Sequence, residues 1–206
     1  MRTANDILEF WFGRGPLDAG RLAERSAFWF GGGDRETVEH NDALIRESLE
    51  PMLAAAARGE FASWAASPKR RLALILLYDQ VPRNAYRGTA AAYAFDREAL
   101  ALTVEGMQLA ADAALEPIER VFFYMPLEHA ESMEAQDAAV AAMERLVREA
   151  PAELRDYCEY CAGFARSHRE IIAKFGRFPH RNAVLKREST PEEREWLESG
   201  GLTFGQ

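Results

Sequence analysis

The chain has 206 residues, is 48% hydrophobic and 28% charged, and carries a formal net charge of -8 at pH 7. That length buries a substantial core in one large domain or two small ones, and the acidic balance argues against general nucleic-acid binding, which neutralises phosphates with Lys and Arg. The longest strongly apolar run, Leu72 to Tyr78, falls far short of the roughly 18–20 residues that span a bilayer, and Met1-Arg2-Thr3-Ala4-Asn5-Asp6 has no signal-peptide pattern. No nucleic acid and no membrane are expected as partners, and the cytoplasm is the default location.

Helix signals dominate. Ile7, Leu8, Phe10, Trp11 and Phe12 predict a short aromatic helix ended by Gly13-Arg14-Gly15-Pro16. A second helix spans Arg21 to Phe30 and stops at Gly31-Gly32-Gly33, after which Asp34 caps a third that runs through Glu50. Pro51 starts or kinks the segment to Ala57, and Gly59 ends it. Ser67-Pro68 opens a helix with Leu72, Ile75 and Leu76 on one face and Asp79 next in the same row. Helices follow over Asp96 to about Ala111 and Glu116 to about Met125, and Pro126 opens a longer one to about Glu149. The clearest predicted helix is Ala152 to Phe175, whose row Leu154, Cys158, Cys161, Ala165, His168, Ile172 and Phe175 steps by four and three, with Gly176 placed to end it. Thr190-Pro191-Glu192-Glu193 combines a capping box with a first-turn proline and predicts a last short helix. The fold class is all-α, stacked antiparallel helical hairpins. No Pro/Ser/Gly-rich linker divides residues 1–206, which read as a single all-α domain.

Two stretches repeat one wording: Val81-Pro82-Arg83-Asn84-Ala85 and Phe178-Pro179-His180-Arg181-Asn182-Ala183. Proline fixes its own φ and biases the residue before it, so both read as rigid turns that present an arginine fork and an amide. Both lie in basic stretches. Arg166 to Arg187 holds seven Lys/Arg against one acid, and Lys69 to Arg87 five against one. Such patches suit a small anion; the alternative is that the arginines pair with carboxylates elsewhere. Asp79 stands where the periodicity asks for an apolar residue, a costly place for an unpaired carboxylate. Arg83 and Arg181 are its possible partners, and it either orients a ligand-binding Arg83 or buttresses the turn.

Pro126-Leu127-Glu128-His129-Ala130-Glu131-Ser132 sets a histidine among acids at a predicted helix start, where the helix dipole favours negative charge. A carboxylate neighbour tunes histidine as a general acid or base. His129, His168 and His180 with Glu128 or Glu131 match no metal-ligand spacing, so no metal and no cofactor is expected. Cys158 and Cys161 lie mid-helix without a second pair and read as reduced core cysteines. Phe10-Trp11-Phe12 and Phe28-Trp29-Phe30 build core or wall a pocket. Phosphate-loop, dinucleotide and nucleophile-elbow motifs are missing.

Four ordered motifs, Ile7-Leu8-Glu9-Phe10-Trp11-Phe12-Gly13, Asp79-Gln80-Val81-Pro82-Arg83-Asn84-Ala85-Tyr86-Arg87-Gly88, Pro126 to Ser132, and Phe175-Gly176-Arg177-Phe178-Pro179-His180-Arg181-Asn182, resemble a mostly bacterial domain-of-unknown-function family, numbered 924. The resemblance spans essentially the whole chain and implies a tetratricopeptide-like α-helical superhelix with a concave face. It implies no activity and no site residues. Two functions are therefore expected as alternatives. One is a binding module in which Arg83, Asn84, Arg177, Arg181 and Asn182, with Asp79 behind them, hold a small anion or a peptide carboxylate. The other is a metal-independent hydrolase or lyase using His129 or His180 with Glu128 or Glu131.

Overall fold

A computed structural model describes residues 3–15, 17–31 and 34–205. The expected helix stops at Pro16 and at Gly32-Gly33 lie outside the described residues. α1 (Ala4–Phe12) is opened by a capping box between Thr3 and Asp6 and buries Ile7, Trp11 and Phe12. Its last carbonyls lack helical partners, and α2 (Ala19–Phe30) supplies them: Arg25 donates to Phe10 O at 2.7 Å and Trp29 Nε1 to Trp11 O at 2.9 Å. α2 ends at Gly31 in the left-handed region, φ 75°, where a Cβ would lie 2.1 Å from Val38. Glycine is required there on both grounds.

α3 (Arg35–Ala57) is capped by Asp34 and contains Pro51. A helix start at Pro51 is thus corrected: one long helix spans both predicted segments. α4 (Pro68–Ile75) passes without a break into a π-helical turn, Leu76–Gln80, and then into α5 (Val81–Ala85). The first doublet is therefore helix and not the expected turn. Its Val81 N–H reaches back five residues to Leu76 O, the wider spacing of a π-bulge. α6 (Asp96–Gln108) leads to α7 (Pro117–His129), which contains Pro126. Pro126 does not open the following helix as expected. The break falls at residues 130–132, where Ser132 caps α8 (Met133–Glu149) and the Gln136 amide donates to Glu128 O at 2.6 Å and Ala130 O at 2.8 Å. Glu128 and His129 consequently sit in the last turn of a helix, and the dipole argument reverses.

A two-residue connection joins α8 to α9 (Ala152–Phe175), which ends at Gly176, φ 70°. Short links of this kind make neighbouring helices antiparallel. Pro179–Arg181 forms a 3-10 turn, and α10 (Pro191–Glu198) begins with the predicted Thr190–Glu193 capping box. Among the described residues the regular structure is all-α. The main core gathers around Phe122 of α7, which meets Trp11, Phe12 and Trp29 at centroid separations of 5.7, 5.4 and 4.7 Å. Such edge-on aromatic contacts add to the burial of apolar area. No helix of the described residues is long and apolar enough to cross a membrane.

Candidate functional site

The π-turn decides where the first doublet points. Arg83 Nη1 folds back to Asp79 O at 2.8 Å, and Asn84 Nδ2 to Gln80 O at 2.8 Å, so both side chains are tied to carbonyls of the preceding turn. Arg83 also pairs with the Asp79 carboxylate at 3.2 Å and with Asp96 at 2.8 Å. Asp79 is fully buried, and its other contacts are His129 Nδ1 at 2.7 Å and Gln80 Nε2 at 2.7 Å. Burial pushes its acidity toward the neutral form, but Arg83 and His129 outweigh that and hold it below the ordinary carboxylate range. An ionised Asp79 only accepts, so His129 Nδ1 carries the proton and Nε2 is left as an acceptor.

Above Asp79 lies a cavity of about 620 Å³, lined among others by Gln80, Arg83, Asn84, Glu128, His129 and His168, a volume ordinary for small-molecule sites. Glu128 is 3% exposed, and its Oε1 has no hydrogen-bond partner. Burial, then the Asp79 charge, raises its pKa to about 8, so it is largely a neutral acid at pH 7. Burial and the Arg83 charge move His129 the opposite way, downward, against the pull of Asp79. His168 donates from Nδ1 to Phe164 O at 2.9 Å and stacks on Phe204 at 3.6 Å. Burial, then His129, lowers its pKa to about 3. One wall is the segment 200–205, pinned by that stack and by a hydrogen bond from Arg87 to Gly205 O.

The second doublet lies elsewhere. Arg181 sits between the rings of Tyr93 and Phe178, 4.5 and 4.4 Å away, and reaches Asp96 Oδ2 at 3.3 Å. Burial, then Arg83, lowers its pKa to about 10. Arg177 makes paired bonds of 2.7 and 2.8 Å to Glu193, and Asn182 donates to Glu193 and Ser189. Glu131 receives both ends of Arg187 and the Phe178 N–H. His180 is partly buried against Phe178 and Phe204, and burial followed by Arg181 lowers its pKa to about 3. None of Arg177, Arg181, Asn182, His180 or Glu131 lines this cavity.

Of the residues singled out from sequence, the structure brings Arg83, Asn84, Glu128 and His129 to one cavity, with Asp79 directly beneath. The two doublets do meet, but at a protein carboxylate: Arg83 and Arg181 both grip Asp96. Sequence reasoning passed over Asp96, which reads there only as a helix start, and took His168 as core. Arg87 and Phe204 were missed as well. Arg87 follows the first doublet, and its bidentate grip on Asp42, 2.7 and 3.0 Å, depends on a contact 45 positions away. Cys158 and Cys161 are free and buried, and burial raises both thiols, which keeps them protonated and poorly nucleophilic.

Fold and site together define an all-α protein with a polar-floored cavity closed on one side by its C-terminal segment. The chain belongs to the family described as "Bacterial protein of unknown function (DUF924)", matched over residues 7–201. It is similar to a solved structure, that of the protein of unknown function ATU0120 from Agrobacterium tumefaciens, with 38% identity and a TM-score of 0.78 over 96% of this chain and 97% of that one. No curated protein matches.

Proposed function

We propose that the protein binds a small molecule in this cavity, its hydrogen-bonding head on the floor formed by Glu128, His129 and Arg83. The observation that carries the reading is Glu128, a buried carboxyl that lines the cavity and keeps one oxygen without a protein partner. An unsatisfied buried polar atom costs about 1–3 kcal/mol, and a ligand that pairs with it relieves that cost. As a neutral acid Glu128 both donates and accepts. Arg83 and Arg87 already face Asp79, Asp96 and Asp42, so hydrogen bonding governs selection more than the basic stretches alone imply. A carbonyl, amide or carboxyl head fits this floor.

One observation favours a second reading, metal-independent acid–base catalysis. The Asp79–His129 pair has the arrangement of a base with its orienting carboxylate, and Glu128 beside it is shifted toward the acid role. Thermal-shift and calorimetric screening with small carboxylic acids, amides and inorganic phosphate tests the binding reading. A compound that stabilises the wild type should lose at least tenfold in affinity with Glu128→Leu, which removes both donor and acceptor, and nothing with Arg177→Ala. Equal binding to wild type and Glu128→Leu would remove the floor from the site.

A further inference from the structure

The cavity's exposed end is chemically unlike its floor. Seven large hydrophobic side chains are exposed among the described residues, and four of them, Phe30, Tyr160, Phe164 and Leu202, line this one cavity. They come from the end of α2, from α9 and from the segment after α10. Tyr160 and Phe164 meet edge to face at 5.0 Å. Tyr160 is 59% and Leu202 52% exposed. The buried lining carries Gln80, Arg83, Asn84, Glu128 and His129 beside the apolar Trp29, Val121 and Cys161. The hydrogen-bonding groups thus lie in the floor, and the large exposed side chains at the mouth are apolar. An apolar cluster gathered on a surface marks something that covers it, and here the cluster is continuous with a cavity whose floor holds an unpaired hydrogen-bonding group.

We infer that the ligand is amphipathic: a carboxyl- or carbonyl-type head held on the floor, and an acyl chain or aryl tail lying along Phe30, Tyr160, Phe164 and Leu202. This rests on the cavity being the binding site. A head alone leaves the mouth wet, whereas a tail of a few carbons covers it. Each methylene that becomes buried raises affinity roughly three- to fourfold.

Calorimetry on the full chain with straight-chain carboxylates from acetate to octanoate tests the inference. The expected result is an affinity that climbs with chain length until the mouth is covered. Tyr160→Ser and Leu202→Ser, both at exposed positions that do not support the core, should flatten the climb and leave acetate unchanged. Glu128→Leu should weaken every member by a similar factor. An affinity independent of chain length, with Glu128→Leu still weakening binding, overturns the amphipathic ligand and spares the site. A climb insensitive to Glu128→Leu removes the head from the floor and overturns both. No binding by any member also overturns the inference. So does a concentration-dependent dimer in sedimentation that Tyr160→Ser dissolves, because a second copy would then cover the mouth.

Discussion

The two Pro-Arg-Asn stretches share their wording and differ in what they face. In α5, Asn84 reaches back one turn to Gln80 O while its residue lines a cavity. After α9, Asn182 joins Ser189, Glu193 and Arg187 in a closed set of protein partners. Both arginines reach Asp96, one from α5 and one from the 3-10 turn. The difference teaches that a repeated polar motif need not be a repeated site. One copy is turned toward space by a π-turn, and the other is consumed in fastening α10 and the C-terminal segment.

Removing the shared carboxylate breaks the comparison most severely. Asp96→Ala leaves two buried guanidinium groups competing for what remains, and a cost of about 3 kcal/mol is expected from loss of one partner in a buried pair. Urea unfolding measures it, and the loss should exceed that of either asparagine variant. The asparagines sharpen the contrast on equal chemistry. Asn84→Ala and Asn182→Ala should each lower stability by about 1–2 kcal/mol, the range for lost buried hydrogen bonds. Only Asn84→Ala should also weaken a cavity ligand, as calorimetry on the two variants would report.

The pH dependence isolates Glu128 from both doublets. Glu128 titrates at about 8 in the folded protein and near 4.5 otherwise, so the folded state holds the extra proton between those values. Its contribution is full below about pH 4.5 and is lost as pH rises toward 8. His168 and His180, lowered to about 3, act in the opposite sense and favour the fold as pH rises toward 6.5. Melting temperatures of wild type and Glu128→Gln, compared across pH 4.5–8, isolate the first contribution. The variant should lose less stability over that span.

Much of the fold was legible because helix periodicity and caps are local. The Thr190 capping box, Asp34 and Gly176 all stand where the sequence puts them. The prolines misled, since a proline's cost depends on whether other groups take up the freed carbonyls. Pro51 and Pro126 lie inside helices, and the break expected at Pro126 is displaced to residues 130–132. Charge counting along the chain misled similarly. Arg177, Arg181 and Arg187 form no common cationic patch, because each finds a carboxylate: Glu193, Asp96 or Glu131. Within the site, Glu128, His129 and Arg83 were visible as chemistry out of pattern. Asp96, Arg87 and Phe204 acquire meaning only through contacts between distant segments, which no spacing rule reaches.

The π-turn at Leu76–Gln80 has a consequence for how this protein tolerates change. A π-turn closes one turn with five residues where an α-turn uses four, so it holds one extra residue while the helix on either side keeps its facing. Deleting one residue within the turn should convert the Val81 N–H to Leu76 O link into an ordinary i→i−4 bond and leave Arg83 and Asn84 facing the cavity. Deleting one residue within α4 should instead turn the two sides of the cut by about 100° relative to one another. The cavity floor is thus buffered against a change of length at this one point of the chain.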